Sequence, residues 1–289
     1  MKTWLLASRP KTLFAAVSPV IIGTVMAVGA GKAHWPSALA ALLGAIFIQI
    51  GTNFANDYAD FTKGADTHER LGPIRATQAG LVTPGTMRNA TVFVFGLAVL
   101  VGIYLVGRGG LPIVVIGLLS ILAGILYTAG PYPLAYIGAA DLFVLVFFGP
   151  VAVGGTYFVQ ALEITPTVLM VGLAPGLFSM AILTVNNLRD VDQDRAAHKR
   201  TPAVRFGVGF ARWEYVICVV AACLIPALLY VQGAAPAWSV ITAAVLIPAL
   251  PALRSVFVDQ GRVLNKTLAR TGQLLLLYSV VFGVGWLIG

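Results

Sequence analysis

The stretch NFANDYADFTKGAD, residues 53–66, closes a long apolar run with two asparagines and three aspartates. At about 100° per residue, Asn53, Asp57 and Asp60 fall within roughly 60° of one another on a helix. A second stretch, VNNLRDVDQD, repeats the pattern: Asn186, Asp190 and Asp194 stand at i, i+4 and i+8. Asp192 points away from that stripe, and it and Glu69 are assigned to solvated faces. Stop signals of a helix would account for either cluster alone. They do not account for amides one turn deeper, where a polar group is costly unless paired, nor for the same device twice. Two carboxylate stripes repel and need cations between them. Oxygen ligands alone select a hard ion such as Mg²⁺, and His34, His68 and His198 are too scattered to form a zinc set. Mg²⁺ typically bridges protein carboxylates to substrate phosphates. Lys63, Arg70 and Arg75 follow the first cluster, and Arg189, Lys199, Arg200 and Arg205 surround the second, as phosphate oxygens require. No GxxxxGK[ST] loop is present, so a nucleotide is not indicated. The pattern fits a lipid diphosphate that loses diphosphate from an allylic carbon.

The elements that must hold these groups are apolar. The chain has 289 residues, 58% hydrophobic and 10% charged, with mean hydropathy +0.89. Soluble domains carry about 25% charge, so the chain reads as an all-α polytopic membrane protein. Runs of span length cover 12–30, 36–57, 89–107, 110–129, 137–160, 166–188, 212–231, 237–254 and 271–288, nine in all. The first is read as a retained helix, not a cleaved signal. With the N-terminus in the cytoplasm, every Lys and Arg except Lys32 and Arg108 falls on the cytoplasmic side. That asymmetry sets N-in and C-out, with nine helices around a central cavity in the plasma (inner) membrane. Glu163 is the one acid placed outside, so the functional face is cytoplasmic. The net charge of +8 lies in short loops, where topology and lipid headgroups account for it without nucleic acid. Cys218 and Cys223 lie about 140° apart on one helix and are read as unpaired.

Four longer stretches narrow the reading: RPKTL (9–13), NFANDYADFTKGADTHERLGPIRATQAGLVT (53–83), PLAYIGAADLFVLVFFGPVAVGGTYFVQ (133–160) and NNLRDVDQDRAAHKRTPAVRFG (186–207). On these the chain resembles the UbiA-type intramembrane prenyltransferases over nearly its whole length, in the branch that prenylates 1,4-dihydroxy-2-naphthoate in menaquinone synthesis. The resemblance implies one domain over 1–289, with two pseudo-repeated halves whose Asp-rich loops lie at about 53–88 and 186–212. It implies that Asn53, Asp57, Asp60, Asp190 and Asp194 hold two Mg²⁺ ions on a polyprenyl diphosphate, with Asn56, Asn186 and Asn187 assisting. Arg9, Lys63, Arg75, Arg189 and Lys199 are the implied diphosphate or carboxylate contacts, and Asp66 belongs to the same site. Tyr127 falls where that family keeps a tyrosine near the allylic carbon, where a ring face stabilises developing cation. The implied reaction transfers the prenyl group to the naphthoate with loss of diphosphate and CO₂, giving demethylmenaquinol. One position departs from the pattern: His198 stands where the family has Gly before Lys199, in a turn that His enters less easily.

Some residues have plainer readings. Asp141 is taken to cap the start of its helix. Phe143, Phe147 and Phe148 are taken as lipid-facing or packing surface. Two rival functions stay open: phytyl or other prenyl transfer to this or another aromatic ring (4-hydroxybenzoate or homogentisate among them), and an ion-coupled transporter, which would place acids near the bilayer midplane.

Overall fold

The computed structural model describes residues 2–64, 71–130 and 133–289, and every regular element among them is helical. Asp66 and Arg70 lie outside the described residues. A short helix α1 (Lys2–Ser8) turns at Arg9, φ 51°, into α2 (Leu13–Gly29). Next come α3 (Trp35–Thr62), α4 (Pro84–Gly109) and α5 (Leu111–Leu126). Gly110 separates the last two at φ 68°, a conformation that glycine adopts without a Cβ penalty. The remaining long helices are α6 (Ala140–Ala161), α7 (Pro166–Arg189), α8 (Val208–Val231), α9 (Ala237–Val258) and α10 (Gly261–Ile288). Helices α4 and α7 begin alike. Thr83 Oγ1 accepts from Thr86 N at 3.3 Å, Thr165 Oγ1 accepts from Val168 N at 3.3 Å, and a proline follows each cap.

Eight described segments are long and apolar enough to cross a membrane; the first runs Lys2–Gly29 through the Arg9 turn. The ninth expected span, α5, has only 16 residues, about 24 Å at 1.5 Å per residue. Exposed apolar side chains cover the outside, among them Val92, Phe93, Leu118, Ile217 and Ile247. Such a surface requires lipid around it: this is a multi-pass membrane protein.

Helix α7 is the central element. Two-thirds of its apolar window is buried, against 11% for α4. It packs against α2, α6, α8 and α10. The main core follows, with Ile22, Val153, Phe178, Tyr215, Tyr278 and Phe282 fully or almost fully buried. Helix α6 carries a π-helical segment at Phe147–Val151, and there its backbone touches α7. A Cβ on Gly149 would lie 2.8 Å from Gly172 O. Small residues on both helices permit that approach. Cys218 and Cys223 are buried and free, as expected.

At the far end of the bundle, the charges the topology placed outside meet. Lys32 Nζ lies 2.6 Å from Glu163 Oε2, and Arg108 donates to Val159 O and Gln160 O. The interaction with Lys32 holds the Glu163 carboxyl below its ordinary range. The two Asp clusters sit at the other end, where α3 and α7 terminate.

Candidate active site

A cavity of about 1250 Å³ opens between α2–α5 on one side and α6–α7 on the other. Its polar end is lined by Asn53, Asn56 and Asp60 from α3 and by Asn186, Asn187, Asp190 and Asp194 from the α7 terminus. Arg9, Lys63, Arg75, Arg189, Lys199 and Tyr127 line it too. Every described residue expected at the site except Asp57 therefore borders one space.

Asp57, expected among the metal ligands, is engaged by the backbone in this structure. Its Oδ2 accepts from Ala76 N at 2.9 Å and its Oδ1 from Thr77 N at 3.2 Å, so both oxygens hold the loop after α3. The residues of the α3 cluster that line the cavity are Asn53, Asn56 and Asp60. Asn53 is partly an anchor: its Nδ2 donates to Ser8 O at 2.9 Å and Thr12 Oγ1 at 3.1 Å, which fixes the Arg9 turn. Asn56 Oδ1 accepts from Thr128 Oγ1 at 2.7 Å, tying α3 to the end of α5.

The second cluster also departs from a continuous helix. Helix α7 stops at Arg189, Asp190 takes a non-helical conformation, and a separate turn runs Val191–Ala196. Asp194 N still donates to Asp190 O at 2.8 Å, which keeps the two carboxylates one turn apart. Arg189, expected as a diphosphate contact, is engaged by protein partners. Its guanidinium donates to both Asp190 oxygens at 2.7 and 2.5 Å, to Asn186 Oδ1 at 2.6 Å and to Asn265 Oδ1 at 2.8 Å. These bonds occupy the fork that a diphosphate would take. Arg189 thus joins Asn186, Asp190 and Asn265, and Asn265, unremarked in the sequence, also binds Leu71 O at 2.8 Å.

The carboxylates of the two clusters that line the cavity each have a cation: Arg75 for Asp60, Arg189 for Asp190, and Lys199 for Asp194 at 3.1 Å. Burial pushes the Asp194 carboxyl above its ordinary range, and Lys199 opposes that shift. Among the described residues, no three His, Cys, Asp or Glu side chains converge closely enough to enclose a metal by themselves. An oxygen-only set of paired carboxylates and amides on two sides of a cavity fits ions whose remaining ligands come from substrate phosphate and water.

His198 adopts the left-handed turn that a glycine would, with φ 55°, and His198 N donates to Arg195 O at 3.2 Å. The aim of Lys199 at Asp194 is thereby preserved. Tyr136 is a further residue that the sequence reading missed. Its ring lies between Lys63 Nζ at 5.5 Å and Lys199 Nζ at 5.3 Å, and its carbonyl accepts from Arg200 N. It joins the two Asp-bearing loops across the cavity mouth. Burial pushes its phenol up, and Lys199 opposes that. The interleaving of this ring with lysines from both loops was invisible in linear sequence.

Below the polar end the cavity is apolar, lined by Val99, Ile103, Leu118, Ile121, Phe143 and Phe147. Phe143, Phe147 and Phe148 are thus cavity wall, not merely lipid or packing surface; Phe143 and Phe147 stack at 5.9 Å. Several of these side chains, Val99, Ile103 and Leu118 among them, are also more than half or about half exposed, so the cavity reaches the lipid-facing surface. Asp141 does not cap its helix. The N-cap is Ala139, with no side-chain bond, and Asp141 faces the cavity.

Comparison with known proteins names the family. The UbiA prenyltransferase family model matches residues 16–287. The chain is 34% identical to the 1,4-dihydroxy-2-naphthoate octaprenyltransferase of Haemophilus influenzae, covering all of this chain and 97% of that one. It is 39% identical to the Escherichia coli protein of the same name over 78% of this chain and 74% of that one. The structure of a UbiA homolog from Archaeoglobus fulgidus bound to GPP and Mg²⁺ superposes with a TM-score of 0.69 at 15% identity, covering 99% and 100% of the two chains.

Proposed function

The chain belongs to the UbiA prenyltransferase family, and from that premise we propose that it transfers a polyprenyl group from its diphosphate to 1,4-dihydroxy-2-naphthoate. Diphosphate and CO₂ leave, and demethylmenaquinol forms. The observation that carries the reading is the shared cavity: Asn56 and Asp60 face Asp190 and Asp194 above an apolar chamber that reaches the lipid surface.

Two Mg²⁺ ions bound by Asn56, Asp60, Asp190 and Asp194, with Asn53 and Asn186 beside them, would neutralise the diphosphate as it departs. Arg75 and Lys199, beside Asp60 and Asp194, would hold the phosphate oxygens; Lys63 and Arg9 border the same space. Asp57 and Arg189 keep the loop and the acids in position. Asn187 and Tyr127 line the same cavity, where the tyrosine ring would stabilise the allylic cation. The prenyl chain follows the apolar wall of Ile103, Leu118 and Phe147. Charge asymmetry between the two ends of the bundle supports a plasma (inner) membrane setting with this site at the cytoplasmic face. The two Asp-bearing termini, of α3 and α7, serve as equivalent devices of one domain.

The test is prenyl transfer by the purified protein in nanodiscs, read by mass, with an acceptor panel and several prenyl and phytyl diphosphates. Mg²⁺-dependent prenylation of the naphthoate is the expected result. Efficient transfer only to another ring, or only from phytyl diphosphate, overturns the assignment.

A further inference from the structure

Asp141 is the one carboxylate lining the cavity that has no partner among the described residues. It is 7% exposed, and both of its oxygens are buried without a hydrogen bond. Asp60, Asp190 and Asp194 each pair with an Arg or a Lys; Asp141 pairs with neither. A bare carboxyl in a membrane-spanning helix is costly, and such a group is retained for a ligand.

The chemistry of the reactants says which ligand. A prenyl diphosphate offers anionic oxygens and hydrocarbon, so it has no donor for Asp141 and its charge would be repelled. A dihydroxylated ring offers phenolic O–H groups. Asp141 lines the same cavity as Tyr127, Asp60 and Asp194, so an acceptor bound there shares one space with the leaving group. We propose that Asp141 receives a ring hydroxyl of the aromatic acceptor and serves as its proton acceptor during attack. This rests on the prenyl-transfer reading above.

The step balances without an added reagent. The allylic C–O bond breaks and its electron pair leaves with diphosphate. The ring carbon bearing the carboxylate forms the new C–C bond as the O–H proton passes to Asp141, leaving a ring ketone. The C–CO₂ bond then breaks, its electrons return to the ring oxygen, and that oxygen takes the proton back from Asp141. Asp141 ends as it began.

The experiment compares the wild type with Asp141→Asn and Asp141→Leu in nanodiscs. Readouts are kcat/KM for the acceptor, Mg²⁺-dependent binding of a prenyl thiodiphosphate, and the melting temperature. General-base removal predicts a fall in acceptor kcat/KM of about 100-fold or more in both variants. Thiodiphosphate binding is unchanged, and the melting temperature is equal or higher because a bare buried charge is gone. Unchanged acceptor kcat/KM overturns the proposal, and so does a parallel loss of thiodiphosphate binding. A variant that melts lower with activity lost points to a structural role and also overturns it. If the wild type ignores the naphthoate but prenylates another phenol, the proposed acceptor fails while Asp141 is tested with that phenol; a wild type that prenylates no phenol overturns both.

Discussion

Asp57 Oδ2 accepts a hydrogen bond from the Ala76 amide at 2.9 Å, across the loop that carries Arg75 to Asp60. The acid next to the site therefore shapes it from behind, while Asp60 faces the cavity. This separates two neighbouring aspartates by role and gives the first prediction. Asp60→Asn or Asp190→Asn abolishes turnover and weakens metal binding. Asp57→Asn leaves one amide poorly satisfied, costs about 1–2 kcal/mol of stability, and lowers activity without comparable loss of metal affinity. Mn²⁺ titration followed by electron paramagnetic resonance checks this. Equal loss of metal affinity in Asp57→Asn and Asp60→Asn would sink the distinction.

Arg189 carries four hydrogen bonds to Asn186, Asp190 and Asn265 with its side chain almost wholly buried. Arg189→Ala leaves Asp190 without its cation and costs about 3–5 kcal/mol. Asn265→Ala costs less, about 1–3 kcal/mol, because the other three bonds remain. Thermal or denaturant unfolding in detergent ranks the two.

Tyr136 between Lys63 and Lys199 holds the cavity mouth through its ring face. Tyr136→Phe keeps that face and retains near wild-type kinetics. Tyr136→Ala removes two contacts of about 0.5–1 kcal/mol each and raises the KM for prenyl diphosphate more than that for the acceptor. Steady-state kinetics with each substrate varied in turn reads the difference.

His198 is exposed and sits at φ 55°. His198→Gly relieves that backbone without losing packing and stabilises the fold by about 0.5–1 kcal/mol. The measurement is a small upward shift in melting temperature with kcat retained; a downward shift would show that the histidine side chain holds the turn.

Chelation separates chemistry from folding. Asp60, Asp190 and Asp194 already have Arg and Lys partners, so EDTA stops turnover while helicity by circular dichroism is unchanged. Restored activity on adding Mg²⁺ completes the test, and activity that persists in EDTA contradicts the metal reading.

Long apolar runs, Thr-Pro helix starts and Gly110 are local signals, so the helical plan was legible residue by residue. The two Asn/Asp clusters and their attendant bases likewise announced a polar site at one end of the bundle, because carboxylates in so apolar a chain are too costly to keep without a ligand or a partner. Linear periodicity could not decide which side of α3 faces the cavity: Asp57 and Asp60 share a broad stripe, and only the loop returning at Ala76 claims one of them. Nor could it show that Arg189 is consumed by protein partners, that Asn265 and Tyr136 reach the site from distant segments, or that α5 is short. Asp141 is the clearest case. Its sequence context fits a helix cap, and only the packing of α6 against α7 turns its carboxyl, unpartnered, into the chamber. Local propensity and hydrophobic pattern depend on near neighbours in the chain; the partner of a buried polar group depends on which distant backbone arrives beside it.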